Sequence, residues 1–177
     1  MTPVAQTIPC DFDDLVREHQ SMVFSMAYHF VHDRGAAEEI AQEVFLSLHR
    51  SLDRIESPEH AMFWLRQATA RRAIDETRRR KRRPQVSLDE VREPVAVASR
   101  GDPLLGDLLR RLIATLPEDA RMVMVLRYQE DLDPVDIASV LEMPVATVKS
   151  HLHRSLALLR RKLAFTTPSA PPEKETL

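Results

Sequence analysis

Apolar positions along this chain recur at intervals of three and four residues, and each run is bounded by residues that start or stop helices. From Phe12 the positions Leu15, Val16, Met22, Val23, Met26 and Phe30 keep helical spacing to about Val31. Asp33 can cap a second helix to about Leu52, which buries Ala37, Ile40, Val44 and Leu48 and exposes Glu38, Glu39, Gln42, Glu43 and Arg50. Ser57-Pro58-Glu59 repeats the start signal as a cap, an N1 proline and a first-turn acid. The third helix carries Phe63, Trp64, Leu65, Ala68 and Ile74 and runs into Arg78-Arg79-Arg80-Lys81-Arg82-Arg83, where Pro84 ends it. Pro84 to Pro103 has no period and reads as a flexible linker. Leu104, Leu105, Leu108, Leu109, Leu112 and Ile113 restart a helix. Pro117 opens the next, with Glu118 and Asp119 in its first turn and Met122, Val125 and Leu126 inside.

Asp133 to Arg154 reads as a helix-turn-helix. Asp133-Pro134, with Asp136 in the first turn, starts a helix that carries Ile137, Ala138 and Leu141 inward and breaks at Glu142-Met143-Pro144. Glu142 occupies a turn position that many such motifs fill with Gly, and a positive φ there costs a non-Gly residue about 1 kcal/mol. In the second helix Val148, Leu152, Leu156, Leu159 and Leu163 fall on one stripe. The opposite face holds Lys149, Ser150, His153 and Arg154, then Arg160, Arg161 and Lys162, with no acid between Val145 and Leu163. Donors at the start of a second helix are what major-groove reading needs.

The net charge of −2 over 177 residues conceals a steep pattern. Residues 1–70 hold 5 basic and 11 acidic side chains, whereas residues 71–83 hold 8 basic and 2 acidic. Six consecutive cations exceed what a helix dipole needs and suit a phosphate track. Three glycines and few β-branched runs favour an all-α fold. Cys10 is the single cysteine, so no internal disulfide forms; with no apolar run near the ~18 residues of a membrane helix and no signal-peptide pattern, a cytoplasmic location is expected.

Enzyme chemistry finds little footing. Three scattered glycines cannot make a phosphate loop, and no nucleophile elbow is present. His151 and His153 diverge by about 200° on a helix, and His29 with His32 lacks a third ligand nearby, so neither metal nor cofactor is expected.

Taken together these segments resemble the extracytoplasmic-function (ECF) group of bacterial RNA polymerase sigma factors, from roughly Asp11 to Leu163. Three stretches carry the likeness: Ala37 to Leu46; Phe63-Trp64-Leu65 through Ala73-Ile74-Asp75 to the arginine run; and Leu116-Pro117-Glu118, Val123 to Tyr128, Asp136-Ile137-Ala138 and Thr147 to Arg154. The resemblance implies two small helical domains joined by a flexible linker, the second containing the helix-turn-helix. The divisions are a flexible N-terminus (1–10), a region 2-like domain (11–83), a linker (84–103), a region 4-like domain (104–164) and a disordered tail (165–177). It implies that Glu39, Gln42, Glu43, Leu46 and Arg50 face core polymerase. Arg71, Arg72, Asp75, Arg78, Arg79, Arg80 and Arg82 would face the −10 element, and Thr147, Lys149, Ser150, His151, His153 and Arg154 the −35 element. Partners would be core RNA polymerase, promoter DNA and an anti-sigma factor, with no membrane insertion and no catalysis. Three positions depart from the family pattern: Arg71 where Asn is common, His151 where Arg is common, and Glu142 where Gly is common. The alternative is a free-standing helix-turn-helix regulator, which leaves residues 33–52 and the arginine run without a role.

One conformational expectation follows from the charge map. As a coil the 20-residue linker spans roughly 25 Å, against about 66 Å fully extended. The acidic face of residues 11–59 is therefore expected to draw in the basic recognition helix and cover Lys149 to Arg154 in the free chain.

Overall fold

The computed structural model describes residues 11–82 and 103–166, and every regular element among them is helical. The N-terminal segment 1–10, with Cys10, the linker residues 84–102 and the tail from 167 onward lie outside the described residues.

Three helices form the first half: α1 (Phe12–Val31), α2 (Arg34–Arg50) and, after a 3₁₀ turn at Leu52–Arg54, α3 (Pro58–Arg82). Their starts are set by the expected caps. Asp11 accepts from Asp13 N at 3.1 Å, Asp33 from Ala36 N at 2.8 Å and Ser57 from His60 N at 3.2 Å, each satisfying a donor that the helix cannot. In α2 the expected stripe Ala37, Ile40, Val44 and Leu48 is buried. In α3 the buried stripe only partly follows the apolar positions. Phe63 is exposed and Trp64, Ala68 and Ile74 are half-buried, while Ala61, Leu65, Thr69, Ala70 and Ala73 are buried. Small side chains line this face because α1 and α2 pack on one side and α5 and α6 close on another, and Thr69 satisfies its hydroxyl on Leu65 O at 2.7 Å.

The second half is α4 (Pro103–Ala114), α5 (Glu118–Tyr128), α6 (Pro134–Leu141) and α7 (Val145–Thr166). Helix α4 begins one residue earlier and α7 runs two residues further than the sequence divisions allowed. Asp133 caps α6 by accepting from Val135 N at 2.7 Å and Asp136 N at 2.9 Å. Glu142 ends α6 in the left-handed region, φ 52° and ψ 43°, where its N–H returns to the carbonyls of Ala138 and Ser139. Helix α5 is the hub. It is buried continuously from Ala120 to Leu126 because α7 and α6 cover one side and α1 and α3 the other, a burial that its own periodicity could not reveal.

The two halves pack directly on each other. One apolar cluster joins Met26, Phe30, Leu65 and Ala73 to Met122, Leu126 and Ile137, and a smaller one gathers Leu116, Ala120, Met124 and Leu159. Polar contacts frame the seam. Arg66 pairs with Glu130 at 3.3 Å, Arg71 with Glu142 at 2.6 Å and Arg78 with Asp119 at 3.4 Å, and Lys81 pairs with Glu118. The chain is therefore closed, but not as its charge pattern suggested. Lys149, Ser150, His153 and Arg154 are exposed on α7, whereas the cations that meet acids across the seam belong to α3. The denser cation stripe took the partners, and they came from the acidic edge Glu118 to Glu142.

Candidate polymerase and nucleic-acid interface

Three exposed faces carry the residues singled out by sequence. On α2, Glu39, Gln42, Glu43, Leu46 and Arg50 are all exposed, and their spacing of three to four residues sets them on one stripe opposite Ile40, Val44 and Leu48. Leu46 is 59% exposed, an apolar side chain kept in water amid polar neighbours. It also edges an 840 Å³ groove between α1 and α2 whose walls include Phe12, Phe24, Ala41, Gln42 and Phe45.

On α3 the arginines divide between two stripes. Arg72 reaches Glu43 and donates to Ser47 Oγ at 2.7 Å; Arg79 pairs with Glu76 at 2.7 Å; Arg80 pairs with both Glu76, at 2.8 Å, and Asp33, at 3.1 Å. These three face acids of α2 and of α3 itself. Burial pushes the Glu76 carboxyl up, yet hydrogen bonds from Arg79 and Arg80 outweigh it and hold it below the ordinary carboxylate range. Asp75 is exposed beside this stripe, on a 230 Å³ polar hollow shared with Glu39, Arg72 and Arg79. The second stripe, Arg71, Arg78 and Lys81, turns to the other half of the chain and takes Glu142, Asp119 and Glu118. The Lys81 ammonium beside Glu118 holds that carboxyl below its ordinary value. Arg82 is exposed and donates to Arg78 O at 3.2 Å, while Arg83 lies outside the described residues.

On α7, Thr147, Lys149, Ser150, His153 and Arg154 are exposed and His151 is half-buried. The helix stands on Val148 and Leu159, and Ser155 is also buried. Val148 at 0% exposure fixes which way the face points, since it lies opposite the polar set. Ser155 carries no apolar signal, but it lies seven residues from Val148, on the stripe where the helical period places a buried position.

Sequence reasoning missed two further residues. Arg121 is 7% exposed, with Nη1 donating to Phe30 O at 3.2 Å, Nη2 to Leu116 O at 3.3 Å and to Ala114 O, and its guanidinium 5.2 Å from the Phe30 ring centroid. Burial lowers its pKa. Glu130, whose side chain is 8% exposed, holds Arg66 across the seam. Among the described residues, no group of three His, Cys, Asp or Glu side chains is placed to hold a metal ion, and no helix is long and apolar enough to cross a membrane.

The architecture defines an all-helical DNA-binding factor, with a helix-turn-helix whose second helix is displayed and a separate cation-lined helix in the other half. The family described as sigma-70 region 2 matches residues 15–83, and that described as sigma-70 region 4 matches residues 106–159. The RNA polymerase sigma-H factor of Pseudomonas aeruginosa is 30% identical, over 86% of this chain and 86% of its own length. The ECF RNA polymerase sigma factor SigW of Bacillus subtilis is 28% identical, over 86% and 88%. The fold also matches the sigma factor RpoE solved in complex with the anti-sigma factor NepR from Bartonella quintana, with a TM-score of 0.70 at 22% identity over 87% of this chain and 97% of that one. CnrH, solved in complex with the cytosolic domain of CnrY, superposes with a TM-score of 0.66 at 20% identity over 88% and 89%. The chain belongs to the ECF group of RNA polymerase sigma factors. It is a promoter-recognising initiation factor; a free-standing regulator would not carry the region 2 half. Sigma factors are initiation factors and not catalysts.

Proposed function

We propose that the three faces divide the work of initiation. Glu39, Gln42, Glu43, Leu46 and Arg50 on α2 dock on core polymerase. The α3 residues Arg71, Arg72, Asp75, Arg78, Arg79, Arg80 and Arg82 engage the −10 element. Thr147, Lys149, Ser150, His151, His153 and Arg154 at the start of α7 read the −35 element. The observation that carries this reading is the exposed set Lys149, Ser150, His153 and Arg154 at the head of a helix held by a buried Val148. Donors so placed can bond base edges or phosphates without rearranging the domain. The domains are residues 11–83 and 104–164, joined through 84–103, and the factor works in the cytoplasm without enzymatic activity of its own.

An anti-sigma factor is a fitting regulator, because RpoE was solved in complex with the anti-sigma factor NepR. Reconstitution with purified core polymerase, followed by sequencing of the transcripts made from genomic DNA, tests the whole scheme. Start sites should share two upstream elements, and Lys149→Ala with Arg154→Ala should lose the upstream one selectively.

A further inference from the structure

Where the end of α1 meets α4, α5 and α7, the chain leaves a 430 Å³ cavity that none of the three faces above includes. Its inner wall is apolar, with Met124 and Leu159 each only 5% exposed. Leu109 and Tyr128 also line it but are 37% and 56% exposed, so they stand where it opens to water. Large apolar side chains left in solvent at the mouth of an apolar cavity mark a surface that a ligand would cover. At ~30 Å³ of liquid volume each, about fourteen waters would fill the space, many of them against walls that offer no hydrogen bond. The charge here has one sign. His29 from α1 and Arg110 from α4 both line the cavity, and no Asp or Glu is among the described residues that do so. After burial itself, the Arg110 charge is what holds the His29 imidazole below its ordinary pKa, which makes the cation and the ring neighbours.

We propose that this cavity is a binding site for a small amphipathic carboxylate, which lays its hydrocarbon body between α4, α5 and α7 and sets its carboxylate on Arg110 beside His29. The guanidinium presents five donors in a planar fork, so Arg110 can hold a carboxylate alongside the contact it already makes. A charge-assisted bond of this kind is stronger than one between neutral groups, and partial burial screens it less than the open surface would. An anion there also offsets the repulsion between Arg110 and a protonated His29. An alcohol of the same length would fill the apolar space equally well and leave the cation without its counter-charge. Because the walls come from both halves of the chain, the bound ligand stabilises the folded molecule by mass action. The site depends on no assignment of DNA or polymerase contacts.

The test titrates the full chain with octanoate and with octan-1-ol by calorimetry. Octanoate should bind saturably at one site, about tenfold more tightly than the alcohol, and raise the melting temperature. Arg110→Gln should remove that preference and bring the two ligands within about twofold of each other, with binding of the alcohol unchanged. Gly106→Leu fills the cavity from α4 with a residue that helices favour over glycine, and Leu156→Phe fills it from α7. Each filling variant, checked for native helicity by circular dichroism, should weaken both ligands about tenfold or more. The imidazole resonances of His29, identified by their loss in His29→Gln, should move as octanoate is added. Failure of octanoate to bind would give the cavity to water or to a peptide segment and overturn the proposal. Unmoved His29 signals, or full affinity in both folded filling variants, would place octanoate elsewhere and overturn it too. Equal affinity for the alcohol, or an undiminished preference in Arg110→Gln, would overturn the choice of a carboxylate.

Discussion

Glu142 and Arg71 meet at 2.6 Å across the two halves of the chain, and Glu142 makes the contact from a backbone with φ of 52° and ψ of 43°. Both residues depart from the family pattern noted in the sequence, and the structure pairs them with each other. A non-Gly residue in this region carries a strain of about 1 kcal/mol, while an exposed ion pair returns about 0–1 kcal/mol. Two substitutions separate the terms. Glu142→Gln removes the charge and keeps the strain, whereas Glu142→Gly removes both. The Gly variant should therefore be about 1 kcal/mol more stable than the Gln variant in denaturant melts. Equal stability would show that the turn is unstrained.

Leu46 is exposed on the same stripe of α2 as Gln42, so the pair can be cut back without opening the core. Gln42→Ala with Leu46→Ala should keep the melting curve near wild type, within about 0.5 kcal/mol. Its affinity for core polymerase should fall, measured by competition with the wild-type factor. Unaltered competition would remove this face from the polymerase interface.

The sequence disclosed what depends on local chemistry. Caps at Asp33, Ser57 and Asp133, the start of α5 after Pro117 and the stripe of α2 are all where side-chain hydrogen bonding and 3.6-residue spacing put them. The interior of α3 was only partly legible because its most apolar residues, Phe63 and Trp64, lie off its buried stripe, while Ala61, Thr69 and Ala73 lie on it. Periodicity weights size, and close helix approach selects smallness. The continuous burial of α5 and the roles of Arg121 and Glu130 were hidden for a related reason. They arise where two halves meet, and the spacing within one helix carries no record of what crosses it. The face of α2 and the head of α7 were legible because each is defined by a buried stripe on its own helix.

Arg154 lies on the displayed face at the head of α7 with Lys149 and His153. If it reads a base, Arg154→Ala should lose about 1–3 kcal/mol of discrimination at the upstream element. Holoenzyme binding to a promoter already mutated there should hardly change. Equal weakening on both templates would assign Arg154 to the phosphate backbone.

His29 adds a pH dependence to the closed state. Burial, and secondarily the positive charge of Arg110, hold its pKa below 6.5. A depressed value means that the unfolded chain takes up the proton first as pH falls. The stability is complete above 6.5 and declines as pH falls from there through the folded-state value. The drop in melting temperature between about pH 7.5 and pH 5.5 should therefore be smaller in His29→Gln than in the wild type. An identical drop would mean that other groups set the acid response.

Arg121 offers the sharpest test of how the halves are held. Its guanidinium is buried and spends its donors on Phe30 O in the last turn of α1 and on Ala114 O and Leu116 O at the turn between α4 and α5. Those carbonyls belong to helix ends, where intrahelical partners run out. The fork of Arg reaches all three at once, and its planar group lies over the Phe30 ring. Lysine would bring a compact ammonium that cannot span the same acceptors, leaving a buried charge poorly paired at a cost of about 2–4 kcal/mol. Methionine keeps the apolar stem and removes the charge, so only the carbonyls lose partners, at about 1–2 kcal/mol. Arg121→Lys should thus be less stable than Arg121→Met, although it conserves the charge. Urea midpoints in the opposite order would show that the positive charge itself holds the seam, through Glu118, and that the fork geometry is secondary.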